Sequence, residues 1–153
     1  MSKKPLALSA LALALAAPAA AAADPVAAVK ADAAKLIADA TTAHDAVIAD
    51  LQKIAADAQA AKGGSKEAAL ATIKADRLKL RADRRTLLAP VKTDRQQLRA
   101  DLKAAREAKA GKGQLKPVLR QVRVTLRQQR KEVRAALKAA RKAVRELRAS
   151  FGK

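Results

Sequence analysis

An all-α chain, folded as an extended antiparallel bundle of three long helices with coiled-coil-like packing, is what three observations predict. Ala, Leu, Lys and Arg dominate the sequence, which has no Cys, Trp or Tyr and a single Phe, Phe151. Most of these are strong helix formers, and Ala buries so little surface that any core must be thin, with helices close together. Glycines punctuate the chain at Gly63-Gly64-Ser65 and Gly111-Lys112-Gly113, two breaks of the length that joins antiparallel helices. Between the breaks, apolar residues recur at every third or fourth position, the period of a helix with one buried stripe.

The N-terminus has another pattern. Lys3 and Lys4 precede an apolar run, Leu6–Ala17; Pro18 ends it, and Ala21-Ala22-Ala23 leads into Asp24. A charged start, a short greasy run and small residues at the cut are what a signal peptidase requires, whereas a spanning helix wants about 20 strongly apolar residues. The expected organisation is therefore a signal peptide over residues 1–23 and a single helical domain over 24–153, exported to the periplasm or secreted. With no Cys, the exported chain relies on neither disulfides nor thiol chemistry.

The first helix is expected over about 25–62, opened by Asp24 as N-cap and Pro25 at the first helical position. The second is expected over about 66–110, with Ser65 as capping hydroxyl and Glu67 on the positive end of the helix dipole. These two segments read as an internal repeat offset by 44, since Asp32, Asp39, Asp50 and Asp57 recur as Asp76, Asp83, Asp94 and Asp101. The spacing 7, 11, 7 returns each carboxylate to within about 20° of the same azimuth, so each copy carries one straight aspartate stripe beside its seam. Pro90 stands where the first copy has Ala46 and predicts a kink or a split there, with Thr93-Asp94-Arg95-Gln96 as a capping box for a new start.

The third helix, over about 115–150, is marked by Lys116-Pro117 and carries the cleanest stripe: Leu115, Leu119, Val122, Leu126, Val133, Leu137, Ala140, Val144, Leu147 and Phe151. One position after these seam residues come Lys116, Arg120, Arg123, Arg127, Arg130, Lys131, Arg134, Lys138, Arg141, Arg145 and Arg148. One residue is about 100° of rotation, so they form a cationic ridge beside the apolar seam, the candidate binding surface. Arg77, Arg81, Arg84, Arg85, Arg95 and Arg99 of the second segment are expected to contribute. Net charge runs from −2 over residues 24–62 through +7 over 66–110 to +12 over 111–153. The first helix is accordingly expected to neutralise part of the other two.

Little here can do catalysis. There is no Cys or Tyr, and His44, the single His, falls on the apolar face of the first helix and reads as an edge-of-core residue. Metal binding would need several His or Cys side chains converging, or an acidic calcium loop, and neither pattern occurs; no cofactor is expected. Nucleic acid would bind the ridge by its phosphates, but no aromatic platform exists to stack bases. Anionic lipid headgroups or envelope polymers are a further electrostatic match.

Thr93-Asp94-Arg95-Gln96-Gln97-Leu98 and Val124-Thr125-Leu126-Arg127-Gln128-Gln129-Arg130 resemble the paired Leu-Thr-x-x-Gln signatures of the Spy/CpxP-type periplasmic proteins, with Lys92 and Val124 in place of the leucine. The resemblance implies an exported, basic, all-helical protein, often dimeric, acting as an ATP-independent chaperone or a modulator of envelope and metal stress. The expectation is a non-enzymatic, chaperone-like or envelope-stress binder of anionic or unfolded protein clients. The alternatives are an electrostatic binder of envelope polymers, lipid headgroups or nucleic acid, and a structural helical spacer that oligomerises through its seams.

Overall fold

Asp24 opens the first helix as its sequence requires: its carboxylate accepts from the Val26 amide at 2.9 Å, with Pro25 in the first turn. The computed structural model describes residues 24–152, so the export signal expected over residues 1–23 lies outside the described residues. The architecture is all-α, with α1 over Pro25–Ala60, α2 over Lys66–Glu107 and α3 over Lys112–Ser150. Among the described residues no helix is long and apolar enough to cross a membrane.

Three local expectations need correction. The split at Pro90 does not occur: α2 runs unbroken, and Thr93 donates to the Ala89 carbonyl inside the helix instead of capping a new one. Pro90 and Thr86 are both exposed, so water serves the Thr86 carbonyl that proline leaves without a donor. Ser65 stands at the N-cap of α2 but makes no side-chain cap bond, which leaves Glu67 to answer the exposed amides of the first turn. The third helix begins at Lys112, earlier than Lys116-Pro117 predicts, because the Gln114 and Leu115 amides both close on the Gly111 carbonyl. Gly111 has φ +59, and a Cβ there would lie 2.4 Å from Val26 Cγ2, so only glycine lets this corner pass against α1.

Helix α1 is the spine. It packs along both α2 and α3, whereas α2 and α3 barely touch each other. The core is two thin clusters along α1, one around Val29, Leu36, Leu98 and Val122, the other around Leu51, Ile54, Ile73 and Leu147. Between them the bundle loosens: no residue is buried between Asp76 and Val91 on α2, or between Val122 and Ala140 on α3.

Lysine and aspartate set the α1–α2 register. Lys79 Nζ lies 2.6 Å from Asp50 Oδ1 and 2.5 Å from Asp83 Oδ2. Forty-four residues earlier Lys35 holds Asp94 and Asp39 in the same way, and Lys53 bridges Asp76 at 2.8 Å and Asp57 at 2.5 Å. In each cross-helix pair the two residue numbers sum to the same value, as antiparallel register requires. Lys79 is held above the usual lysine range by its bonds to Asp50 and then Asp83, while the Lys35, Lys53 and Lys79 ammonium groups hold Asp39, Asp57 and Asp83 respectively below the usual carboxylate range. A depressed carboxyl stabilises the fold above its unfolded pKa and loses that contribution as pH falls through the folded value.

One position breaks the pattern. The counterpart of Lys53 is Gln97, which donates to Asp101 at 3.2 Å and brings no charge to Asp32. Asp32 Oδ2 is enclosed without a hydrogen-bond partner, and burial, then the facing Asp101 carboxyl, raise the Asp32 pKa. Its sign is opposite to that of the clamped aspartates: a raised carboxyl favours folding while protonated and loses that contribution as pH rises through its folded pKa. Gln97→Lys is therefore expected to raise Tm at pH 7 by about 3–5 °C, the scale of one screened ion pair in a domain of this size. The gain should disappear in acid, where Asp32, whose pKa is raised, is protonated and offers the lysine no counter-charge. Thermal melts of both proteins at pH 7 and pH 3 check this, and an equal shift at the two pH values would refute it.

Candidate functional site

Because α2 and α3 both lean on α1 and barely touch each other, a row of clefts joined by shared lining residues runs between them along the bundle as a trough. Its floor is apolar, with Leu36, Val47 and Leu51 of α1, Leu98 and Leu102 of α2, and Leu119, Val122, Leu126 and Leu137 of α3. One stretch, near Leu98 and Leu126, encloses about 660 Å³. Several floor residues are only half-buried, including Leu80, Leu126, Val133 and Leu137, and Leu88 in the loosened middle is 43% exposed.

The walls are cationic from end to end. Six arginines of α2 (Arg77, Arg81, Arg84, Arg95, Arg99 and Arg106) face eight of α3 (Arg120, Arg123, Arg127, Arg130, Arg134, Arg141, Arg145 and Arg148). Lys112, Lys116, Lys131 and Lys138 stand among them, and no carboxylate lines any part of these cavities. The structure thus brings all eleven residues of the sequence-derived ridge to one feature, but as one wall of a trough. Arg77, Arg81, Arg84, Arg95 and Arg99 form part of the opposite wall. Arg85 is exposed and lies outside these cavities, and Arg106, which sequence reasoning missed, lies inside them.

A division of labour separates the two cations. Among the described residues every ion pair uses lysine or His44, and no arginine takes part in one. The expectation that α1 neutralises the other helices therefore holds, among the described residues, for Asp50 with Lys79; in the other two α1–α2 clamps lysines of α1 answer aspartates of α2. The aspartates of α1 meet Lys35, Lys53 and Lys79 on the edge of the α1–α2 seam, away from the trough. A signal for this was present in the sequence: α1 has no arginine, and Lys35, Lys53 and Lys79 each precede an aspartate by four residues. The unpaired guanidiniums also explain the open section of the bundle, because closing α2 onto α3 would press two rows of like charge together in a poorly solvated gap.

The α1–α3 edge is held by polar contacts instead. Lys30 donates to Gln114 at 3.1 Å, Gln129 donates to Thr41 at 3.0 Å, and Lys62 pairs with Glu146 at 3.1 Å. His44 sits at this edge, 14% exposed, with Nδ1 2.8 Å from Asp45 and Nε2 2.9 Å from Glu132. Its contacts are those of a structural bridge between α1 and α3. No group of three or more His, Cys, Asp or Glu side chains converges as a metal site among the described residues.

What the trough offers chemically is a long row of guanidiniums above a greasy floor, with His44 at the rim of the stretch around Leu88 and Leu126. Guanidinium binds carboxylate or phosphate in a two-pronged fashion and carries its charge at any physiological pH. Comparison with protein-family models, with curated proteins and with solved structures finds no match to this chain.

Proposed function

We propose that this chain is an exported, non-enzymatic binding protein whose trough holds anionic or unfolded protein clients in a chaperone-like or envelope-stress role. The observation that carries this reading is the combination of unpaired arginines with a half-covered apolar floor in one continuous groove. Charge gives reach and rapid capture, and the floor gives adhesion to apolar segments that an unfolded chain exposes. A strong positive net charge also keeps loaded molecules apart. The N-terminal pattern of residues 1–23 and the Thr-x-x-Gln resemblance support the exported setting.

The test is suppression of aggregation. At physiological salt and with client no more than equimolar to the protein, the protein is expected to delay light scattering from a denatured acidic client, and more weakly from a basic one. The second reading, an electrostatic binder of lipid headgroups, envelope polymers or nucleic acid, is favoured by the exposure of the arginine heads. It predicts binding to anionic liposomes or oligonucleotides that vanishes at high salt, together with no protection of either client. That combined result would overturn the chaperone-like reading.

A further inference from the structure

The trough has the cross-section of a bundle from which one helix is missing. Helix α1 carries α2 on one side and α3 on the other, and the gap between those two lies over Leu, Val and Ala. Along α3 the wall cations recur at steps of three and four, as in Lys116, Arg120, Arg123, Arg127, Arg130 and Arg134. Each such step advances about 5 Å along a helix axis, so a second helix lying alongside would meet one cation per turn. This is the spacing of residues flanking a coiled-coil seam, where the carboxylates of one helix answer the cations of the next.

We infer that the trough takes an acidic amphipathic helix of a partner protein, its apolar stripe on the floor and its Glu and Asp flanks against both arginine walls. The bundle then becomes four-helical. This inference rests on the reading of the trough as a client-binding surface and names the client structure it favours.

Other occupants leave something unmatched. A second copy of this chain offers a wall as cationic as the one it would meet, and of the aspartates on its α1–α2 seam Asp39, Asp50, Asp57, Asp76, Asp83 and Asp94 are already engaged by its own lysines. A phosphate polymer satisfies the guanidiniums but has no apolar face to cover Leu102, Leu119 and Leu126. An uncharged apolar helix covers the floor and strands the walls without counter-charge. Of these occupants, the acidic helix with a stripe is the one that answers both.

Three probes decide it: a labelled peptide of about four heptads with Leu at the two seam positions and Glu on both flanks, a permuted peptide of identical composition without the stripe, and a single-stranded oligonucleotide of similar charge. The striped peptide is expected to bind the purified protein at least tenfold more tightly than the permuted one and to gain helical circular dichroism on binding. Leu126→Ser, on the trough floor, should weaken the striped peptide severalfold and leave the permuted peptide unchanged, with the protein's own helicity as the folding control. Equal affinity for the two peptides, binding without gain of helix, or tighter binding of the oligonucleotide than of the striped peptide overturns the inference. Protection of a denatured client together with equal peptide affinities would sink the helical occupant and leave client holding intact. Peptide docking without client protection would do the reverse.

Discussion

Replacing Arg123, Arg127, Arg130 and Arg134 together by glutamine is expected to abolish most client capture while making the protein more stable. These four guanidiniums line the trough beside Leu98 and Leu126, face Arg95, Arg99 and Arg106, and have no carboxylate partner among the described residues. Removing them takes away the attraction for anionic clients and, at the same stroke, the repulsion between the two walls. A loss of holding of tenfold or more corresponds to about 1.4 kcal/mol of binding free energy, which four charge contacts readily supply. Glutamine keeps helix propensity and a polar, uncharged side chain at positions open to water, so the fold itself is not at risk. The pair of measurements is client protection and thermal midpoint on the same preparations. Unchanged protection would show that the arginines are solvation alone, and a fall in Tm would show that they were stabilising the bundle through contacts. Opposite movement of function and stability is the mark of a surface kept charged for binding.

Leu36→Ala is expected to be the most damaging single substitution in the core. Leu36 is 1% exposed, belongs to the cluster that joins α1 to both other helices, and also reaches the trough floor. Truncating a buried leucine to alanine typically removes about 2–5 kcal/mol, a large part of the roughly 5–15 kcal/mol that holds a small domain together. The neighbours cannot refill the space, because Val29 and Val122 are β-branched and stiff, and Ala33 and Ala40 have nothing to extend. By contrast, Val124→Ala should change stability by less than about 0.5 kcal/mol, since Val124 is 60% exposed. Urea unfolding followed by circular dichroism compares the two. If they lost the same amount, the thin seam would not be the source of cooperativity, and helix propensity would have to carry the fold.

Much of this molecule was legible in one dimension. The two glycine breaks place the helix ends within a few residues, Asp24 caps α1 as its chemistry demands, and the seam of α3 buries Leu115, Val122, Ala140, Val144 and Leu147 in the order the spacing predicts. The aspartate stripes, read from their 7, 11, 7 spacing, do run beside a seam, with Asp50, Asp76 and Asp94 buried there. Pro90 was less legible. Proline predicts a break wherever its missing amide matters, but on a helix face open to water the freed carbonyl is hydrated and α2 continues. Ser65 misled in the other direction, since the right residue at the right position, exposed at the turn, makes no cap bond.

By itself, then, the sequence determined three helices, the azimuth of every side chain around its own axis, and a row of cations beside the α3 seam. Helical periodicity is a local property, set by 3.6 residues per turn, so it needs no knowledge of neighbours. Only the tertiary structure decided which cations are answered and which remain free. That depends on how each helix is rotated toward the next, a balance struck across the bundle between lysine clamps drawing α1 onto α2 and arginine rows holding α2 off α3. Coulomb forces act between helices at distances that no count along one chain contains, which is why the ridge could be read in advance and the trough could not.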